Sequence, residues 1–168
     1  MSQFDSGVDH RLYYVRRQWA VVFNNKGKNR MAGSINVGGE KIISISFRQG
    51  AAEIGTDSCI FIAPVPCQIL AANYVHSVAG NDAGAVNLQL TKDTGTDAPG
   101  AGTDLLADNS NAGWNCKGTA NTVQAGTFKT TAGILDLNRG DRISLDYAGT
   151  TTNLAGVVVT LAILLDLQ

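Results

Sequence analysis

Apolar and polar residues alternate with a period of two along most of the chain after residue 40. In KIISISFR (41–48), isoleucine and phenylalanine alternate with serine and arginine, and the same pattern recurs in VNLQLTK (86–92) and DRISLDY (141–147). Successive side chains of a β-strand point to opposite faces of a sheet. The period therefore predicts strands with one buried and one solvated face.

Further strands are predicted between clusters of glycine, asparagine and aspartate, and no segment carries a helical stripe with caps. Pro64 and Pro66 lack the backbone N–H that a strand interior needs, so they mark a corner between two strands. About eight antiparallel strands without crossover helices predict an all-β fold, a β-sandwich with the jelly roll as leading topology. The additional strand candidates are SCIFIA (58–63), CQILAANYVHSV (67–78), TANTVQAG (119–126), GILDL (133–137) and GVVVTLAILL (156–165).

The closing strand candidate is apolar on both faces. Such a strand is either central in the core or covered by a second subunit. Because a jelly roll normally exposes one face of each sheet, we favour a contact between subunits of a homo-oligomer. One face carries Val157, Val159, Leu161, Ile163 and Leu165, and the face predicted to meet the second subunit carries Val158, Thr160, Ala162 and Leu164.

The beginning of the chain does not share the alternation. We interpret residues 1–38 as an N-terminal arm and connector, and residues 39–168 as the sandwich. The stretch HRLYYVRRQWAVVF (10–23) is compatible with a strand or a short helix. Its aromatic residues indicate that the arm packs against something.

Charge is distributed unevenly along the chain, although the net charge is only −1. Residues 1–30 hold six basic and two acidic side chains, whereas the remainder holds seven basic and twelve acidic ones. A basic arm on an acidic body suits a neighbouring copy, an acidic partner surface or nucleic acid, or it is simply solvated. The acidic body argues against nucleic acid, and we predict no nucleic-acid partner.

Composition indicates a folded chain, with 44% hydrophobic and 16% charged residues. The polar start, MSQFDSGVDHRLYY, lacks the apolar region of an export signal, and LAGVVVTLAILL (154–165) is too short to span a bilayer. We therefore predict cytoplasmic synthesis and no membrane partner. The chain has three cysteines, Cys59, Cys67 and Cys116. Their odd number indicates reduced thiols, and we expect two of the three to be buried in strands.

No arrangement of residues marks a catalytic site. The two histidines, His10 and His76, lie in the arm and in a strand candidate, and no zinc-ligand spacing or phosphate-binding loop occurs. A metal-dependent β-sandwich enzyme would need a histidine cluster. We therefore expect neither enzyme activity nor a cofactor.

The long segment 92–118 is irregular, and we expect Leu105, Leu106 and Trp114 to anchor it to the body. Its carboxylates could offer oxygen ligands to calcium, but they lack the ordered spacing of an EF-hand. We favour solvated turn residues and predict no metal. The carboxylates belong to Asp93, Asp97, Asp104 and Asp108.

The tripeptide Arg139-Gly140-Asp141 has two interpretations. It occurs in adhesion ligands, but adhesion requires an exported protein. It also lies between two alternating segments and follows Asn138, and these residue types favour turns. We predict a turn that closes a hairpin.

Three segments together resemble the jelly-roll decoration, or cement, proteins on the heads of tailed bacteriophages, most closely those of short-tailed phages. An "APxPxxI" entry leads into a long strand, a "KxxGTxxxxG" loop follows, and "LxxGDx[IL]xL" precedes a hydrophobic closing strand. The resemblance covers roughly residues 58–166. The matching positions are Ala63, Pro64, Pro66 and Ile69; Lys92, Gly95, Thr96 and Gly100; Leu137, Gly140, Asp141, Ile143 and Leu145.

The resemblance implies a structural virion protein that is not an enzyme. Such a protein, made in the cytoplasm of the host bacterium, binds the major capsid protein on the exterior of the virion. It does so as a homodimer or homotrimer, and it braces the capsid against internal DNA pressure. For this chain we hypothesise that the arm docks on the capsid through Arg11, Arg16, Arg17 and Trp19.

The alternative is a carbohydrate-binding jelly-roll module of a phage fibre or tail. Glycan sites usually expose an aromatic ring beside Asp and Asn side chains on loops. In this chain, such a site would be formed by Trp114 with Asp108, Asn109 and Asn111.

Overall fold

The computed structural model describes residues 35–37, 40–50, 55–81 and 83–166. These residues form eleven strands in two antiparallel sheets and one short helical turn, α1 (Asp108–Asn111). The strands are β1 (Ile35–Val37), β2 (Glu40–Arg48), β3 (Ser58–Ile62), β4 (Cys67–Val75), β5 (Asn87–Asp93), β6 (Thr103–Asp104), β7 (Trp114–Asn115), β8 (Gln124–Ala125), β9 (Asp136–Leu137), β10 (Arg142–Ala148) and β11 (Val158–Asp166).

The two sheets share one hydrophobic core, which confirms the predicted β-sandwich. Sheet A has the order β1-β2-β11-β4, and β8 and β9 pair with opposite ends of β4. Sheet B has the order β3-β10-β5, and β6 and β7 both pair with β5.

Strand pairing is nested from the ends of the described chain toward its middle. β2 pairs with β11, β3 with β10, β4 with β8 and β9, and β5 with β6 and β7. Strands from the first half of the described chain thereby pair antiparallel with strands that follow later in the sequence. The jelly-roll topology within this sandwich stays a prediction.

Inward side chains of alternating residues build the core. In β11 the odd-numbered residues from Val159 to Leu165 are buried, as the period of two requires. Burial of each such aliphatic side chain contributes about 1.5–3 kcal/mol to stability. Tyr74 stacks on Trp114 with ring centroids 5.4 Å apart. Sheet B contributes Leu88, Leu90, Ile143 and Leu145 to the same core.

Two predicted strands are much shorter than expected. TANTVQAG forms a strand only at Gln124–Ala125, and GILDL only at Asp136–Leu137. The chain leaves β4 between them, because Phe128 forms a bridge with Leu106 in the long segment. Pairing with β4 is therefore confined to the two ends of that strand.

The prediction of a solvated face on VNLQLTK is wrong. Asn87, Gln89 and Thr91 point away from the core, yet they are only 7%, 4% and 0% exposed. Residues of the segment 94–113 form hydrogen bonds with Asn87 and Gln89, and the hydroxyl of Thr91 donates to the backbone oxygen of Ser144. The outward face of β5, in the middle of sheet B, is thus covered by the protein's own chain.

Gln89 is the main attachment of this cover. Its side-chain Oε1 accepts the backbone N–H of Leu106 at 2.8 Å. Its Nε2 donates to the backbone oxygens of Leu106 at 3.1 Å and Asn111 at 3.0 Å. The carboxamide therefore satisfies buried backbone groups that β5 alone does not reach.

The turn α1 has a left-handed conformation. Asn109, Ser110 and Asn111 have φ values of +49°, +57° and +70°. Consecutive non-glycine residues in this region are unfavourable and persist where neighbouring contacts hold them. Asn109 Nδ2 donates to Asn87 Oδ1 at 2.9 Å, so β5 holds the turn as well.

Replacement of Gln89 by alanine should destabilise the protein by about 2–4 kcal/mol, because buried backbone groups of the segment lose their partners. Urea unfolding measures this loss as a shift of the midpoint at a constant m value. Gln68→Ala is the control, since Gln68 is exposed and its side chain donates to the exposed Asp136 at 2.8 Å. Its expected cost is below about 1 kcal/mol. Equal costs for the two variants would contradict this account of the cover.

Candidate interaction surfaces

The outward face of sheet A is centred on β11. Val158, Thr160, Ala162 and Leu164 all lie on this face, and each is half-buried. β11 is the central strand of its sheet, with β2 on one side and β4 on the other. The four residues predicted for a subunit contact therefore share one continuous surface.

Small side chains flatten the middle of this surface. Ala162 is flanked by Ser44 of β2 and Ala71 of β4. Thr160 lies beside Ser46, and their hydroxyl oxygens are 3.0 Å apart. No long side chain projects from these central positions, so a flat partner can approach them closely.

A β-bulge in β4 adds an apolar side chain to the face. Ala162 pairs with Ala71 but Ile163 pairs with Ile69, so Leu70 is the extra residue. Leu70 is 42% exposed, and the residues on both sides of the bulge alternate in opposite phase. Strict alternation along CQILAANYV does not reveal the bulge, so sequence reasoning missed Leu70.

The predicted docking residues Arg11, Arg16, Arg17 and Trp19 lie outside the described residues. The same is true of residues 1–34, so the role of the arm stays a prediction. The described chain begins with β1, which pairs with β2 along Ile35–Val37.

The carboxylates of the long segment are bound by its own chain. Asp93 accepts N–H groups of Gly100 and Gly102, and Asp97 accepts that of Thr94 at 2.9 Å. Asp108 accepts the N–H of Thr127 at 2.6 Å, and Asp104 forms an ion pair with Lys129 at 3.3 Å. In the described ranges, no group of histidine, cysteine and acidic residues has the geometry to hold a metal ion.

The glycan site suggested around Trp114 is not exposed. Trp114 is 1% exposed and stacks on Tyr74 in the core, so it cannot present its ring to a sugar. Leu105 and Leu106 are also fully buried. These three residues anchor the long segment to the body, as expected.

The Arg-Gly-Asp tripeptide forms a turn, as predicted. The Asp141 carboxylate accepts the N–H of Asn138 at 2.8 Å, the Asp141 N–H donates to the Asn138 oxygen at 3.0 Å, and Gly140 has a φ of +92°. Asp141 is 9% exposed. The predicted hairpin is wrong, because the turn leads from β9 in sheet A to β10 in sheet B.

The described histidine is buried, and the three thiols differ in exposure. Cys67 and His76 flank opposite ends of β4, and His76 is buried with its Nε2 3.1 Å from the Gly118 oxygen. Burial raises the pKa of Cys116 to about 11. Burial, followed by the nearby Asp141, raises the pKa of Cys67.

The fold described above defines an all-β sandwich protein. No protein-family model and no curated protein sequence matches the chain. Among solved structures, a chain of the cyanophage Pam1 capsid asymmetric unit is similar, with 14% sequence identity and a TM-score of 0.43. The similarity covers 85% of this chain and 96% of the capsid chain. The function is therefore inferred from the chain's own residues and their contacts.

No helix within the described ranges has the length and apolar character needed to cross a membrane.

Thiol labelling should distinguish Cys59 from the other two cysteines. Cys59 is exposed, whereas Cys67 and Cys116 are buried. At pH 8, a pKa of about 11 leaves roughly 0.1% of Cys116 as the reactive thiolate. Ellman's reagent should titrate one thiol rapidly in the native protein and three after unfolding. A rapidly reacting thiol in the Cys59→Ser variant would contradict the described packing.

Replacement of Asp146 by asparagine should stabilise the protein at neutral pH. Burial, followed by Asp57, Asp104 and Asp93, raises the pKa of Asp146. Its charged form therefore weakens the native state once the pH rises above the unfolded-state pKa of about 3.9. The expected gain is below about 1 kcal/mol at pH 7, because the side chain is half-exposed, and it should vanish near pH 3. Thermal melts at both pH values test this, and an equal gain at both would exclude the charge as its cause.

Proposed function

We propose that this protein is a structural component of a phage virion that binds the outer capsid surface as a homo-oligomer and stabilises it. Its partners are the major capsid protein and further copies of itself. The proposal rests on the resemblance to capsid decoration proteins and on how the residues that carry this resemblance contact one another.

Contacts among the three resembling segments are the main support. Ala63 of the first segment exchanges two backbone hydrogen bonds with the third: its N–H donates to Asp141 O and its oxygen accepts the N–H of Gly140, both at 2.9 Å. Lys92 of the second segment donates to Asp136 O at 3.2 Å across 44 residues of sequence. Arg142 donates to Asp97 O at 2.8 Å. The three segments therefore contact one another in the fold. Unrelated turns that matched by chance would not need to do so, and these contacts support the resemblance.

The outward face of sheet A is the proposed contact between copies, through Val158, Thr160, Ala162 and Leu164. The segment 94–113 already covers the outward face of β5 in sheet B. Among the described residues, sheet A therefore offers the broad sheet face on which a partner can pack. Its small central side chains and the exposed Leu70 favour a close apolar contact.

Repetition gives such an oligomer its affinity for a capsid. A capsid presents the same docking site many times, and linked copies bind adjacent sites at a high effective concentration. Weak contacts at each site therefore add up to stable attachment. In this proposal the basic arm, with Arg11, Arg16, Arg17 and Trp19, supplies the contact at each site.

Introduction of a charge at Ala162 should disrupt the oligomer without unfolding the sandwich. Ala162→Glu places a carboxylate on a half-buried outward position, and its burial in a subunit contact would be strongly unfavourable. Sedimentation velocity should show a smaller species with an unchanged β-sheet circular dichroism spectrum. Thr152→Glu, in an exposed turn, is the control and should retain the wild-type mass. An unchanged mass for Ala162→Glu would refute this interface.

Co-sedimentation with undecorated mature heads tests the capsid role. The heads are assembled from the major capsid protein of the same genome. The wild-type protein should bind saturably at a fixed ratio to that capsid protein. Binding to no head form would refute the capsid role.

The same assay tests the arm by charge reversal. The triple change of Arg11, Arg16 and Arg17 to glutamate should weaken binding at least tenfold, because it reverses the arm's charge. The control reverses two exposed basic residues of the sandwich that lie away from the proposed subunit contact, Lys117 and Arg139. Full binding by the triple variant would refute docking through the arm while leaving the capsid role in place.

A further inference from the structure

One side of β2 is unpaired over most of its length. The strand pairs with β11 over nine consecutive positions, Glu40–Arg48, without a register shift. On its other side, β1 pairs with residues 40–42. Within the described ranges, no strand pairs with that side of residues 43–48. Sheet A therefore ends in a regular edge along this part of β2.

The hydrogen bonds of β2 show which of its backbone groups face the edge. The Gln49 N–H donates to the Val157 oxygen at 2.8 Å, and these two residues continue the register of the β2–β11 pair. The N–H and C=O of a strand residue point to the same side, and successive residues point to opposite sides. Odd-numbered residues of β2 therefore bond to β11. The backbone groups of Ser44, Ser46 and Arg48 point to the unpaired edge.

This edge lacks the residues that normally protect one. From Ile43 to Phe47, β2 has no charged residue and no proline. Protein sheets usually protect an edge with charges, prolines or bulges, because unpaired backbone groups attract another strand. The inward side chains of Ile43, Ile45 and Phe47 pack against the core but are only partly buried, whereas the inward side chains of β11 beside them are buried. A further strand at this edge would therefore also cover apolar side chains.

We propose that the edge of β2 pairs antiparallel with the same edge of a second copy, centred on Ser46. In this register Ser46 lies opposite Ser46 of the second copy, and Ser44 lies opposite Arg48. The edge-facing residues of one copy thereby meet those of the other, and each opposed pair exchanges two backbone hydrogen bonds. The contact is two-fold symmetric, so both copies use the same residues.

The side chains favour a second copy in this register. Ile45 lies opposite Phe47 of the second copy, and both belong to the inward face, so the apolar layer continues from one copy into the other. On the outward face, Arg48 lies opposite the uncharged Ser44, and the two arginines stay apart. Apolar cross-strand pairs stabilise a sheet, whereas like charges opposite each other destabilise it.

Neighbouring registers are less favourable. Pairing centred on Ile45 would set Arg48 opposite Ile42, which already pairs with β1. Pairing centred on Phe47 would join fewer of the edge-facing groups. A centre between two residues would set inward side chains opposite outward ones. The register centred on Ser46 therefore uses the edge most completely.

This contact is distinct from the proposed subunit contact and does not depend on a capsid role. It uses the backbone edge of β2, whereas the other contact uses outward side chains of β11 at the centre of the sheet. Self-association through β2 is therefore tested in the Ala162→Glu background, which removes the other proposed contact.

A proline in place of Ser46 should disrupt the pairing and leave the sandwich folded. The Ser46 N–H points away from β11, and an edge strand accepts proline at such a position. In the Ala162→Glu background, Ser46→Pro should weaken self-association at least tenfold in sedimentation equilibrium, with an unchanged β-sheet circular dichroism spectrum.

Ser46→Ala is the matched control for the proline. It also loses the 3.0 Å hydroxyl contact with Thr160, but it keeps the backbone N–H. The control should change association less than twofold. Equal association of the two variants, or a protein that is monomeric at about 100 μM before either change, would overturn the proposal.

Disulfide trapping tests the register without a proline, in the same Ala162→Glu background. After Cys59→Ser, we expect oxidation of the Ser46→Cys variant to give a covalent dimer. Paired Cα atoms that exchange hydrogen bonds lie about 5.5 Å apart, within the reach of a disulfide. Ser44→Cys is the matched control, because Ser44 is also an exposed serine of β2 on the same face.

The control should remain uncrosslinked, because its two thiols would lie four positions apart along the paired strands. Labelling with a maleimide first shows that both introduced thiols are reactive. Crosslinking of Ser44→Cys, or none of Ser46→Cys, would overturn the antiparallel pairing centred on Ser46.

Discussion

The two backbone ladders of β11 hold sheet A together. β11 is the last described strand, yet it pairs over nine positions with β2 and over eight with β4. Its inward residues Val159, Leu161 and Ile163 lie fully buried in the core. Without β11, a gap would separate β2 from β4 in sheet A. The pairing of β2 with β11, which joins the beginning of the described chain to its end, would also be lost. The contacts that define the fold are therefore mostly between residues distant in sequence, which predicts slow folding for a chain of this size.

The long strands could be predicted from the sequence because their side chains alternate. β2, β10 and β11 follow the period of two closely, and the turn at Asn138–Asp141 carries residue types that favour turns. These signals are local, since each depends on residues adjacent in the chain. The sandwich follows from them, because half-apolar strands without helices must bury their apolar faces against one another.

The features that sequence reasoning missed depend on distant partners. The sequence predicts that Gln89 is solvated because it is polar. Its hydrogen bond with Leu106, 17 residues away, is not visible in the sequence. The bulge at Leu70 shifts the phase of β4, and only the pairing with β11 reveals it. The turn before β10 has the sequence of a hairpin because β9 and β10 are adjacent in the chain, but the two strands belong to different sheets. The sequence predicts that Trp114 contacts sugars, because its stacking on Tyr74 in the core is not visible in the sequence.

The small side chains on the outward face of sheet A also have an entropic consequence. Ala71 and Ala162 have no rotamers to lose when a partner covers them, whereas an immobilised lysine or arginine loses up to about 2 kcal/mol. Ser46 and Thr160 already restrain each other through their hydroxyl contact. The strands beneath these residues are fixed by two ladders, so the backbone has little freedom left to lose. The surface is thus ordered before any partner arrives, and most of the free energy from covering its apolar atoms would remain available as affinity.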